Sequence, residues 1–112
     1  MRAALGLLAL AGCAMPMEGT SGAIPAGYLG RWAVSPAACT ADPVLVEPAR
    51  IVGGVEECFY DRIGPAAGGG VIAPVSCTSL AGERTDLMRL SLRGDRMTYQ
   101  SADGARTLER CT

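Results

Sequence analysis

Cysteine is the residue type with the widest chemical scope in this chain. It occurs at Cys13, Cys39, Cys58, Cys77 and Cys111. A thiol can attack a carbonyl, ligate a metal, form a disulfide or carry a lipid, and its neighbours decide which. Attack needs a partner base, and the 112 residues contain no histidine. There is no Cys-x-x-Cys pair, and the gaps between cysteines are far too wide for a zinc ribbon. No metal ligand set, cofactor site or catalytic residue is expected. All ten basic residues are arginine, so Schiff-base chemistry and a phosphate-loop lysine are excluded as well. In an oxidising compartment five cysteines leave one over. Four paired sulfurs and one thiol with a separate fate is the arithmetic that the rest of the chain has to explain.

Charged groups offer two further openings. Glu56, Glu57, Asp61 and Arg62 cluster around Cys58, with Glu57 and Asp61 on the same side of a strand as Phe59. A glycosidase would need two such carboxylates across a cleft, whereas a short exposed strand presents them to water. Arg84, Arg89, Arg93 and Arg96 are expected to face solvent, with contact to anionic lipid phosphates as the lesser alternative. The formal charge of −1 argues against nucleic acid as a partner.

The unpaired thiol has a local context. Met1 to Cys13 reads as one arginine, an apolar run and small residues, which is the layout of a secretory leader. The run is shorter than the roughly 20 residues needed to span a bilayer. Leu10-Ala11-Gly12-Cys13 resembles the lipobox of bacterial lipoproteins. That resemblance implies cleavage before Cys13, a diacylglyceryl group on its thiol and acylation of the new amino terminus. It also implies attachment to a membrane of the bacterial cell envelope. Ala14, not aspartate, follows the cysteine, which resembles the default outer-membrane sorting state and implies a protein facing the periplasm. The expected organisation is a lipoprotein signal peptide over 1–12, a flexible tether rich in Gly, Pro, Ser and Met over 13–26, and a folded domain over 27–112.

The domain reads as short strands. Met88, Leu90 and Leu92 alternate with Arg89, Ser91 and Arg93. Gly94-Asp95 is a hairpin turn that sets Leu92 against Met97 and Leu90 against Tyr99. Asp103-Gly104 is a second turn signal, which would set Tyr99 against Leu108. A three-stranded meander over about 86–93, 96–101 and 105–111 follows. In that register Arg110 falls on the core face, so the strand must end or bulge to turn Cys111 inward. Upstream, strands are expected at Tyr28 to Val34, Val44 to Glu47, Ala49 to Val52, Val55 to Ile63 and Val71 to Ser79. Ser35-Pro36 should open a helical turn. Pro74 should mark an edge or a bulge. Gly64 to Gly70 should form a flexible loop. The fold class is all-β, a small antiparallel sandwich or barrel ending in the meander and stapled by two disulfides. Cys39–Cys58 with Cys77–Cys111 is the preferred pairing, because each bond joins neighbouring segments. Cys58–Cys77 with Cys39–Cys111 is the competitor, because Cys58 and Cys77 would face each other across the 64–70 hairpin.

Gly30-Arg31-Trp32 resembles the GxW of the first strand of lipocalins and of the periplasmic inhibitors of bacterial metalloproteases. That likeness implies a barrel whose end is plugged by Trp32. The opening GxW and the closing Arg110-Cys111 are also similar to small four-cysteine envelope proteins of proteobacteria, a group without an assigned activity. Arg50-Ile51-Val52-Gly53-Gly54 resembles the activation site of chymotrypsin-like proteases, but the chain lacks both histidine and a Gly-Asp-Ser-Gly nucleophile motif. The expected function is therefore a membrane-anchored envelope lipoprotein with a non-enzymatic binding or structural role. Trp32, Phe59 and Tyr99 are the candidate core or partner contacts. Inhibition of an envelope protease or lysozyme through a protruding loop, with the 64–70 loop favoured, is the alternative. A lipocalin-like carrier would need an interior cavity, which a domain of this size can hardly spare.

Overall fold

The computed structural model describes residues 23–112. The leader, Cys13 and most of the tether stretch lie outside the described residues. Strands are β1 (Gly30–Ala33), β2 (Val44–Val46), β3 (Arg50–Gly53), β4 (Glu56–Tyr60), β5 (Gly64–Pro65), β6 (Val71–Ser79), β7 (Gly82–Arg93), β8 (Arg96–Ser101) and β9 (Gly104–Arg110). A 3₁₀ turn at Ala26–Tyr28 precedes β1, and a short helix α1 (Ala38–Ala41) follows it. The helix starts two residues later than the Ser-Pro signal places it: Ala37 is its N-cap, and Ser35 accepts the Ala38 N–H on its hydroxyl in the turn that leads in. No helix among the described residues is long and apolar enough to cross a membrane.

The barrel alternative is the one realised. Every neighbouring pair is antiparallel, and pairing of β4 with β6 and of β9 with β1 closes an eight-stranded up-and-down barrel. The extra strand β5 pairs with β6 outside the closed ring. Full closure removes exposed sheet edges, which short strands with few aromatics could not otherwise protect. Pro74 sits where β6 passes from β4, its partner over Val75–Ser79, to β5, its partner over Val71–Ile72. The missing proline N–H therefore costs no ladder bond, and the Pro74 carbonyl accepts the Asp61 N–H.

Strand direction assigns every turn to one of two ends. The β2–β3, β4–β6 and β7–β8 connections and the start of the described chain lie at one end, called here the floor. The β1–β2, β3–β4, β6–β7 and β8–β9 connections lie at the other, the mouth. Ile24 already belongs to the core and donates its N–H to Pro48 at the floor, so packing begins within the stretch read as tether.

Alternation carries the core, as a pleated strand dictates. Trp32, Met88, Leu90, Met97 and Leu108 are fully buried along the barrel axis. At this level the axis is thus filled with side chains. At the floor the Trp32 indole donates to the Tyr28 carbonyl at 3.0 Å. Arg110, the register partner of Trp32, lays its guanidinium 4.3 Å from the centre of the indole ring. Its Nη atoms donate to the Leu29 and Gly27 carbonyls at 3.1 and 2.9 Å. The core-facing position expected for Arg110 is thereby explained: the arginine caps the tryptophan with its polar head on carbonyls at the rim. β9 ends there, and Cys111 continues with its N–H on the Arg31 carbonyl.

The disulfide pairing and the second meander turn depart from expectation. The disulfides are Cys39–Cys111 and Cys58–Cys77, not the preferred pairing. Cys58 and Cys77 are direct cross-strand partners on the closing β4–β6 pair, and both point inward. The preferred pairing took sequence order as a guide to space, whereas barrel closure makes β4 and β6 neighbours and brings the last residues beside β1. The second meander turn is also shifted. Ala102-Asp103 turns the chain, Gly104 opens β9 at φ +123°, and Leu108 faces Met97 while Arg106 faces Tyr99. A shift of two residues keeps every side chain on its own face, so the apolar pattern alone could not detect it. The first turn holds: Leu92 faces Met97 and Leu90 faces Tyr99.

Candidate functional site at the barrel mouth

Toward the mouth the inward positions change character. β7 continues its inward pattern back from Met88 through Asp86 to Arg84, and β4 extends it from Cys58 to Glu56. β8 contributes Tyr99 and β9 contributes Arg106. Arg84, expected to face water, is instead the hub of this cluster. Its Nε and Nη2 donate to the two Glu56 oxygens at 2.7 and 2.8 Å, a bidentate fork. Its Nη1 donates to Asp86 at 2.7 Å. The Asp86 carboxylate is only 4% exposed and also accepts the backbone N–H groups of Leu87 and Ala102. A charge so deeply placed is stable only because a cation and two N–H groups surround it.

These contacts set the protonation states. The bond from Arg84 holds the Glu56 carboxyl below the usual range. Burial alone would push Asp86 up, but Arg84 and the two N–H groups together bring it below its ordinary value. Burial pushes the Tyr99 hydroxyl up. At neutral pH the cluster therefore holds two carboxylates, one shared guanidinium and a neutral phenol. Neither acid keeps a proton to donate, so the pair lacks the raised acid that glycoside chemistry requires.

Asp42, Val44, Ile51, Gly53, Gly54, Glu56, Cys58, Tyr99 and Arg106 line a cleft of about 170 Å³ at the mouth. That space suits a few water molecules or the tip of an inserted side chain. Arg106 lies 5.6 Å from the Tyr99 ring centre and forms no ion pair among the described residues. Glu56 and the sulfurs of Cys58 and Cys77 lie within 4.8 Å of one another, but the disulfide consumes both thiolates that a metal would need.

The rim of the mouth carries apolar tips. Val55 at the β3–β4 turn is 80% exposed, and Leu80 at the β6–β7 turn is fully exposed. The two turns are adjacent, because Glu56 pairs with Ser79. Below them Leu45 and Val52 face outward on β2 and β3, so the tips crown a shallow apolar groove on the outer wall. Glu47, Arg50 and Glu57 border it as an ion-paired line.

The candidate contacts separate by place. Trp32 is core at the floor, Tyr99 is half-buried at the mouth, and Phe59 stands 45% exposed on the outer wall. Glu57 and Asp61 lie outside the barrel with Phe59, on the solvated face expected for them. Arg89, Arg93 and Arg96 are exposed, as expected. The stretch 64–70, expected to be a flexible loop, instead begins with strand β5 and then folds on itself, with Ala66 donating to Gly70 and Gly69 donating to Ala66. A Cβ at Gly70 would stand 2.2 Å from the Leu90 carbonyl oxygen, so this end of the loop lies directly on β7. Asp86 and Arg106 were not singled out from sequence. The signal was present: both share the parity of Leu90 and Leu108 on their own strands, but their charge argued for water. No protein-family model, curated protein or solved structure matches this chain.

Proposed function

We propose that this chain is a lipid-anchored protein of the bacterial cell envelope, held on the outer membrane by an acylated Cys13 and facing the periplasm. Its barrel docks an envelope protein through the rim of the mouth and performs no reaction of its own. The adjacent exposed tips Val55 and Leu80 carry this reading. Exposed aliphatic tips on neighbouring turns lose water contact only when something covers them. The described chain starts at the floor, so a tether from Cys13 would leave the rim pointing away from the membrane toward soluble partners. The ionised, arginine-bound state of Glu56 and Asp86 and the lack of histidine support a non-enzymatic role.

The anchor is tested by globomycin, which should accumulate the unprocessed precursor, and by Cys13→Ala, which should release the protein from the membrane fraction. A Cys13→Ala chain that stays membrane-bound counts against the anchor. Docking is tested by crosslinking in envelope fractions, comparing the native chain with a Val55→Asp/Leu80→Asp variant. The variant should lose its specific crosslinks while keeping its melting temperature. Identical crosslinks from both would defeat the rim as the docking surface. One observation favours inhibition as the form of that docking: Leu80 stands fully exposed on a tight turn between the long strands β6 and β7. A rigid turn presenting one aliphatic side chain can fill a protease subsite with little entropy to lose. Retained activity of every envelope protease and lysozyme assayed with excess protein would remove that form.

A further inference from the structure

The outer face of the meander carries a second constellation, at the floor. Arg93 and Arg96 flank the Gly94-Asp95 turn and are direct cross-strand partners. Like charges placed opposite each other on a sheet repel. Neither arginine forms an ion pair among the described residues. Asp95, between them in sequence, reaches instead toward Arg110 at 3.6 Å. Glu109, the register neighbour of Arg96 on β9, makes no ion pair with it. Beside the arginines, Ser91, Thr98 and Thr107 form one row across β7, β8 and β9, since Ser91 pairs with Thr98 and Thr98 with Thr107. Gly68, Gly69 and Gly70 stand over this face as a wall of bare backbone, and the cleft between measures about 560 Å³. Tyr28 lines the same cleft, just after the start of the described chain.

We propose that this cleft binds a phosphate group, with Arg93 and Arg96 as the paired cations and the hydroxyl row as further donors. The guanidinium fork matches phosphate oxygens, and an anion between the arginines would turn their repulsion into attraction. The phosphate is that of an anionic lipid headgroup, because the cleft lies at the end from which the chain would run to its anchor. The lipid source rests on the anchored reading above; the phosphate chemistry does not.

The test uses the full chain carrying Cys13→Ser, so that no acyl chain contributes and a failure of lipidation cannot mimic a failure of the cleft. Retention on phosphatidylcholine vesicles is compared with retention on vesicles that also contain phosphatidylglycerol. The anionic vesicles should hold more protein. Arg93→Gln and Arg96→Gln should each cut that preference about fivefold and together about thirtyfold, as expected for cations at an anionic surface. Arg106→Gln, at the opposite end, should leave it unchanged. Arg93→Gln should melt slightly higher than the native chain, because a repulsion is removed, and Arg96→Gln, which also loses its cross-strand neighbour Glu109, should melt at the native temperature, so a loss of binding cannot be assigned to unfolding. Equal loss from Arg106→Gln, or no preference for anionic vesicles, overturns the lipid site. Inorganic phosphate that raises the melting temperature of the native chain but not of the double variant, with no vesicle preference, overturns the lipid source in favour of the free ion. No response to either phosphate form overturns the whole proposal.

Discussion

The two ends of the barrel solve the same problem by different means. Each must close a ring of strands whose interior would otherwise meet water. The floor does so with Trp32 laid under Arg110 and with Tyr28 packed against the core. The mouth does so with Glu56, Arg84 and Asp86, three charges that satisfy one another. The floor excludes water by apolar area, a term that carries no titrating group and so does not change with pH. The mouth relies on ionic contacts, which hold only while both carboxylates stay ionised. A small domain with few aromatics has one tryptophan to spend, so only one end receives an aromatic plug.

Substitutions at the two ends should therefore differ in size and in pH dependence. Trp32→Ala removes the floor plug and the ring under Arg110, and should cost about 4–5 kcal/mol in urea unfolding. A cost below that of Arg84→Ala would reverse the ranking of the ends. Removing the disulfides compares a long closure with a short one. Cys39→Ala/Cys111→Ala opens a loop of sequence separation 72 and should cost about 4 kcal/mol; Cys58→Ala/Cys77→Ala opens one of separation 19 and should cost about 3. The difference should show in chemical denaturation of the oxidised proteins.

Arg84→Ala leaves the buried Asp86 without its cation and should cost about 2 kcal/mol, between the worth of exposed and of buried pairs. Acid should reproduce part of that effect. Glu56 and Asp86 have folded-state pKa values below their unfolded ones. Their stabilisation is complete above the unfolded pKa of about 4 and is lost as pH falls through the lower folded values. Hydrogen exchange at residues 56, 86 and 102 should accelerate in that window, while residues 32 and 108 remain protected. Equal loss at both ends would show that the mouth is no more pH-dependent than the floor. The smallest effect is at the outer floor, where Arg93→Gln should stabilise by a few tenths of a kcal/mol in thermal melts.

How much of this was legible depended on whether a feature is local. Leu90, Leu92, Met97 and Gly94-Asp95 declare a hairpin, because a turn and a period-two pattern need only neighbouring residues. The turn at Ser35-Pro36 that leads into the short helix is local in the same way. Arg84 and Asp86 were hidden by their charge, since composition places a charge in water unless its partner is known, and Glu56 is distant in sequence. The disulfide pairing was hidden for the same reason. Cys58 faces Cys77 only because β4 and β6 close the ring, and Cys39 meets Cys111 only because β9 returns beside β1.

The amino-acid order by itself determined most of the strands, the first meander turn, the inward apolar face and an odd count of five cysteines, because these follow from side-chain period and from composition. Only the tertiary structure decided that the strands form a closed barrel and not a sandwich, which sulfurs meet, and which end is sealed by an aromatic ring or by paired charges. Those outcomes depend on contacts between residues distant in sequence. Such contacts are specified by closure of the whole sheet and not by any single segment of it.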